Sequence, residues 1–189
     1  MVEIAELPQP SLIVVTGRPG SGKSTLAHAL ARAVRCPAIC RDEIKEGFVN
    51  TLGHAPEPGD DSALRVYEAF FDAVTLLLDR RVTLIAEAAF QHRLWAPKLE
   101  PLRGIARIRI ILCDVGGARS VTSRQAWLAD PAREHFHDDR AVQAAREGRE
   151  LPIENYDPPR LGVPMLKVDT SDGYHPELEA IVGFVRGGG

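Results

Sequence analysis

Apolar residues fall along this chain in two alternating rhythms. Short unbroken runs rich in branched side chains have the length of strands covered on both faces. Between them lie longer stretches in which apolar side chains recur every three or four positions, the period of a half-buried helix. Ser11–Thr16 (SLIVVT) predicts a first strand, and Ser24–Val34 a helix with Leu26, Ala29, Leu30 and Ala33 on one face. Pro37–Cys40 predicts a brief second strand. Ser62–Arg81 predicts a long helix with Leu64, Tyr67, Phe71, Val74 and Leu78 in register, followed by a third strand over Val82–Ala86. Residues 91–103 read as helical, Ile105–Cys113 as a fourth strand and Ala118–Leu128 as a helix. Pro164–Val168 and Glu177–Val185 close the series as a fifth strand and a last helix.

Strands that alternate with helices predict a parallel sheet with helices on both faces. The ligand site of such a fold lies at the C-terminal ends of the strands. Two stretches break the alternation: Thr51–Asp61, rich in Pro and Gly, and Asp130–Gly162, dense in charge. Long connections of this kind are uncommon unless they serve as lids or binding loops.

Composition narrows the class. The 189 residues are 44% hydrophobic and 26% charged, as in an ordinary globular domain, and the formal net charge of -3 argues against a dedicated nucleic-acid binder. Cys36, Cys40 and Cys113 form no Cys-x-x-Cys pair and read as thiols of a reducing compartment. The first ten residues, MVEIAELPQP, have neither the basic nor the apolar region of a signal peptide. No apolar run approaches the roughly 20 residues of a membrane span. A cytoplasmic protein is expected.

The chemistry enters directly after the first strand. Gly17-Arg18-Pro19-Gly20-Ser21-Gly22-Lys23-Ser24-Thr25 matches G-x-x-x-x-G-K-[ST] in full, with a strand before it and a helix after it. Gly20 and Gly22 allow torsions that turn successive N–H groups inward on a phosphate chain, and the helix N-terminus adds favourable potential. Lys23 then reaches the β- and γ-phosphates of ATP, and the Ser24 hydroxyl is positioned to bind Mg²⁺.

Other strand tips supply candidates for a reaction. The second strand ends in Arg41-Asp42-Glu43, with Lys45 just beyond. A carboxylate there suits a general base toward a hydroxyl, and Arg41 and Lys45 suit an anionic acceptor; Asp42 is equally suited to capping a helix. The third strand runs into Glu87, which suits the hydrated Mg²⁺ or the substrate and also fits a satisfied surface carboxylate. Arg119, Arg124, Arg133 and Arg140 follow the fourth strand, and phosphoryl transfer needs cations of this kind around the equatorial oxygens. Interleaved acids (Asp130, Glu134, Asp138, Asp139) fit a solvated face as well. His135-x-His137 lacks the further ligands of a zinc site and reads as lid surface.

On these residues the sequence resembles the P-loop small-molecule kinases, among them the 5′-polynucleotide kinase domain, chloramphenicol phosphotransferase, gluconate kinase and zeta-toxin-like kinases. The resemblance is carried by Gly17–Thr25, by Cys40-Arg41-Asp42-Glu43, by Glu87-Ala88-Ala89-Phe90, by the arginines after the fourth strand and by Val168-Asp169-Thr170-Ser171. It implies one domain over 1–189 with an α/β P-loop NTPase fold of three α/β/α layers. The parallel sheet would have five strands in the order 2-3-1-4-5, with an arginine-bearing lid at about 118–162 and a frayed tail at 187–189. It also implies ATP and Mg²⁺ as cofactors, Asp42 as base, Arg41 as a substrate contact, Arg124 and Arg133 as catalytic cations, and Arg119 and Asp169 beside the nucleotide. The tip Glu87-Ala88 departs from the polynucleotide kinases, which tend to carry an aspartate and a hydroxyl residue there. A small-molecule hydroxyl is therefore the first acceptor expected and a 5′-hydroxyl polynucleotide the second. A nucleotide-binding switch is the reading of another class. The acceptor pocket is expected from 43–60, 88–95 and 130–162, including Trp95, Phe136 and Tyr156.

Overall fold

The computed structural model describes residues 8–54, 61–128, 147 and 156–187. Its centre is one sheet of five strands: β1 (Ser11–Gly17), β2 (Ala38–Cys40), β3 (Leu84–Glu87), β4 (Arg107–Asp114) and β5 (Met165–Asp169). All neighbours pair in parallel and the spatial order is β2-β3-β1-β4-β5, as expected for a P-loop NTPase. The described helices are α1 (Lys23–Val34), α2 (Arg41–Leu52), α3 (Ser62–Asp79), α4 (His92–Leu99), α5 (Gly117–Leu128) and α6 (Leu178–Arg186).

The central strand explains the unbroken apolar run in the sequence. Every residue of β1 after Ser11 is buried. Successive side chains of a strand point to opposite faces. Leu12 and Val14 enter a core layer with Phe70, Val74, Leu78 and Trp95, whereas Ile13 and Val15 enter the other with Leu26, Leu30, Ile181 and Val185. A strand covered on both faces has no polar side to show. β5, at the sheet edge, keeps only Val168 buried.

Several local expectations are corrected. The buried stripe of α3 is Val66, Phe70, Phe71, Val74 and Leu78, and Leu64 is 56% exposed. The buried face of α1 is Leu26, Ala27, Leu30 and Ala31, with Ala33 outside. The helix expected over 91–103 stops at Leu99 and continues as a 3-10 turn over Glu100–Gly104. Pro101 has no N–H to bond the carbonyl of Pro97, so the α ladder ends there. Helix α2 adds an element where the apolar pattern predicts none. It starts straight from β2, buries Val49 alone, and ends at Gly53, whose φ of 78° lets its N–H close onto the Val49 carbonyl at 2.9 Å.

Arg133 and Arg140, the acids Asp130, Glu134, Asp138 and Asp139, the pair His135 and His137, and Phe136 lie outside the described residues, as does most of the expected lid. No described helix is long and apolar enough to cross a membrane.

Candidate active site

The turn between β1 and α1 is shaped as an anion cradle. Gly20 and Gly22 have φ of 79° and 70°, a left-handed conformation that costs glycine little. Gly22 takes the N-cap place of α1, yet no side chain caps the helix and its first turn carries no acid. The N–H groups of that turn, and the positive end of the helix dipole, are thus left for an incoming anion. Gly17 packs so closely that a Cβ there would sit 2.5 Å from the carbonyl oxygen of Cys113. The far edge of the cradle is pinned by Thr170, whose hydroxyl donates to the Ser21 carbonyl at 2.7 Å and approaches that of Asp114 at 3.3 Å. Arg18, Pro19 and Gly20 are half-buried in the turn, and Thr25 faces solvent.

Under the cradle lies a buried polar knot. The Lys23 ammonium stands 3.7 Å from Glu87 Oε1, and both side chains are almost wholly enclosed. The Ser24 hydroxyl donates to the other carboxylate oxygen at 3.1 Å. Glu87 Oε1 and Ser21 Oγ are buried without a hydrogen bond. Burial pushes the Glu87 carboxyl above the ordinary carboxylate range and the Asp42 charge adds to the rise; Lys23, Ser24 and the Cys40 thiol pull the other way. A buried carboxylate oxygen with no donor is costly unless something binds it. A hydroxyl and a carboxylate are the hard oxygen donors Mg²⁺ takes, and the cradle above supplies N–H groups for phosphates. The residues fit both groups.

The tip of β2 stands beside this knot. Asp42 is the second residue of α2, and Cys40, in extended conformation, holds the cap position with no side-chain cap bond. The capping role open to Asp42 from sequence is therefore not the one it has. Its carboxylate is partly exposed, with Arg41 Nη1 at 3.3 Å, and it is near enough to Glu87 to raise that group's proton affinity. Lys45 is half-buried one turn further along α2.

Thr16, outside the sequence-based set, ties Phe90 to Tyr156, a residue expected in the acceptor pocket. Thr16, at the end of β1, accepts the Phe90 N–H at 3.1 Å and shares a 2.5 Å hydrogen bond with the Tyr156 hydroxyl. Burial, ahead of all other influences, pushes the Tyr156 phenol up, so it stays neutral. Residues after Tyr156 dock on the start of α4: the His92 N–H reaches the Asp157 carbonyl at 2.8 Å, and the Asp157 N–H reaches Gln91 Oε1 at 3.0 Å. Trp95, expected in an acceptor pocket, is instead 6% exposed and ringed by Tyr67, Phe70, Phe71 and Phe90. On α5, Arg119 is exposed and Arg124 half-buried. At the tip of β5 the Asp169 carboxylate accepts the Ser171 N–H at 2.8 Å, which holds it below the ordinary range; His175 and Arg119 add smaller pulls.

A family model described as an AAA domain matches residues 12–152. The chain belongs to that family. Among solved structures, this AAA domain chain is similar to a protein of Chloroflexus aurantiacus provisionally called a kinase, with 28% identity, 95% of this chain and 98% of that one covered, and a TM-score of 0.75. It is similar in fold to the Mycobacterium tuberculosis APS kinase CysC in complex with AMPPNP and APS, at 17% identity over 95% and 99% of the two chains, TM-score 0.59. A chain of the Pnkp1/Rnl/Hen1 RNA repair complex matches at 19% identity over 82% of this chain and 51% of that one, TM-score 0.55. No curated protein matches the sequence. The family match and these neighbours support a P-loop kinase family for the chain.

Proposed function

We propose that the protein is an ATP-dependent phosphotransferase whose acceptor is the hydroxyl of a small molecule. The observation that carries this reading is the carboxylate of Asp42 at the tip of β2, near enough to Glu87 to bear on its charge. A nucleotide switch needs no base at that position; a kinase does.

In this reading Gly17 to Thr25 wrap the phosphates of ATP, and Arg119 and Asp169 flank the rest of the nucleotide. Asp42 takes the proton of the acceptor hydroxyl as its oxygen bonds to the γ-phosphorus and the bridging bond to ADP breaks. Lys23, Arg124 and Arg133 meet the negative charge on the transferred group. Arg41 and Lys45 hold an anionic part of the acceptor. Mg²⁺, held by Ser24 and Glu87, would neutralise charge on the β- and γ-phosphate oxygens. Three free thiols suit a cytoplasmic protein.

A 5′-hydroxyl polynucleotide is the second reading, favoured by the likeness to the RNA repair complex. The net charge of -3 weighs against it. The test is a screen of metabolites, nucleosides and 5′-hydroxyl oligonucleotides with labelled ATP, followed by Asp42→Asn. That variant keeps the side-chain size and removes the proton acceptor. Transfer is expected to fall by about 10²-fold or more with nucleotide binding retained. Equal transfer by wild type and Asp42→Asn removes Asp42 as the base. Tight ATP binding with no acceptor labelled in a broad screen favours the switch.

A further inference from the structure

Beside the knot under the cradle is a second set of donors that phosphoryl transfer does not use. Among the described residues, His28, Cys40 and Glu43 bring an imidazole nitrogen, a thiol sulfur and a carboxylate oxygen within 4.8 Å of one another. His28 Nε2 stands 2.6 Å from Glu43 Oε1 and 3.7 Å from Cys40 Sγ. Each side chain comes from a different element: His28 from α1, Cys40 from the end of β2, Glu43 from the first turn of α2. The His28 and Glu43 side chains are 38% and 55% exposed, while Cys40 is 2% exposed. The cluster is thus open to solvent on one side with sulfur at its floor.

We propose that His28, Cys40 and Glu43 form a binding site for a thiophilic divalent cation of the zinc class. Nitrogen, sulfur and carboxylate oxygen are the donors zinc takes, and three protein ligands leave a fourth position for water or an exogenous ligand. Mg²⁺ takes oxygen and would pass this thiol by, so the cation differs from the one that suits Ser24 and Glu87. Binding exchanges the thiol proton for the cation and releases that proton to solvent.

The position gives the site a consequence. Ser24 and His28 are one turn apart on the same face of α1. Cys40 and Glu87 are also register partners on the neighbouring strands β2 and β3. A cation held at Cys40 places positive charge one strand away from that buried carboxylate. Occupancy at His28, Cys40 and Glu43 therefore reaches Glu87, and through it Ser24 and Lys23.

Cobalt(II) titration of the metal-free protein, with nucleotide absent, tests the site directly and needs no acceptor, so its outcome is independent of the phosphotransfer reading. The expected result is a thiolate-to-cobalt charge-transfer band with visible d–d bands, saturating at one equivalent and abolished by zinc. His28→Ala and Glu43→Gln alter partly exposed side chains and leave the fold intact by circular dichroism. Each is expected to weaken binding by at least the roughly 10- to 100-fold that loss of a metal's outer-shell partner costs. Cys36→Ser leaves the titration unchanged. A wild type with no charge-transfer band overturns the proposal, as does a band that survives both His28→Ala and Glu43→Gln or disappears in Cys36→Ser; the 2.6 Å contact is then an ordinary surface hydrogen bond.

Discussion

Glu87 accepts the Ser24 hydroxyl through one carboxylate oxygen at 3.1 Å and keeps the other buried, hydrogen-bonded to nothing, 3.7 Å from the Lys23 ammonium. Burial raises the proton affinity of this carboxyl above the ordinary value of 4.5. An acid raised in this way binds its proton more tightly folded than unfolded. Its contribution to stability is present below 4.5 and is lost as pH rises through the higher folded value. The melting temperature of Glu87→Gln minus that of the wild type, without nucleotide, is therefore expected to increase as pH rises from below 4.5 to neutrality. Thermal melts of both proteins across that range check it, and a flat or falling difference would contradict the account of Glu87 as a strained charge.

Lys23 bears on the nucleotide more directly. Removing its charge-assisted contact with the phosphates in Lys23→Ala is expected to cost at least ~2 kcal/mol of ATP-analogue binding, about 30-fold in Kd. Titration calorimetry reads this. An unchanged Kd would mean that the cradle does not hold phosphate as argued.

Arg124 divides binding from turnover. If its guanidinium meets charge that develops only during transfer, Arg124→Ala loses about 10²-fold in kcat while its ATP affinity changes far less. Equal losses in both would recast it as a ground-state contact.

Thr16 and Tyr156 make a prediction on stability. Tyr156→Phe gives up one hydrogen bond, about 1 kcal/mol. Thr16→Val strands the buried Phe90 N–H, at about 1–3 kcal/mol, and also gives up the half-buried bond to the Tyr156 hydroxyl, so it is expected to cost more. Urea denaturation of the two variants ranks them; Tyr156→Phe as the more damaging change would refute the role given to Thr16.

How much of this was legible in the sequence follows from how local each feature is. The cradle was readable because nine consecutive residues build it, and the five strands because their apolar runs are compact. Helix α2 was hidden: RDEIKEGFVNTL buries only Val49, so it has no apolar stripe to display. In α3 two stripes compete, and the choice that included Leu64 loses to the one through Val66 and Phe70, which faces β1. Trp95 fell in the expected pocket only because it lies within 88–95, after the tip of β3; the four rings around it come from α3 and from Phe90, which only the packed fold brings together. The His28–Glu43 pair spans 15 residues across two helices and a strand, and the Thr16–Tyr156 pair spans 140, beyond any reading by spacing.

Thr170 has a bearing on how the protein is cut down for experiments. The family match ends at residue 152, whereas the hydroxyl that holds the Ser21 carbonyl comes from just past β5. A version excised at the family boundary would retain all nine motif residues and still lose that tether. It would also lose the strand beside β4 and the Ile181 and Val185 side chains that cover one core layer. Grip on phosphate is thus a property of the chain's far end as much as of its signature, and a shortened version that failed to bind nucleotide would say nothing against Lys23.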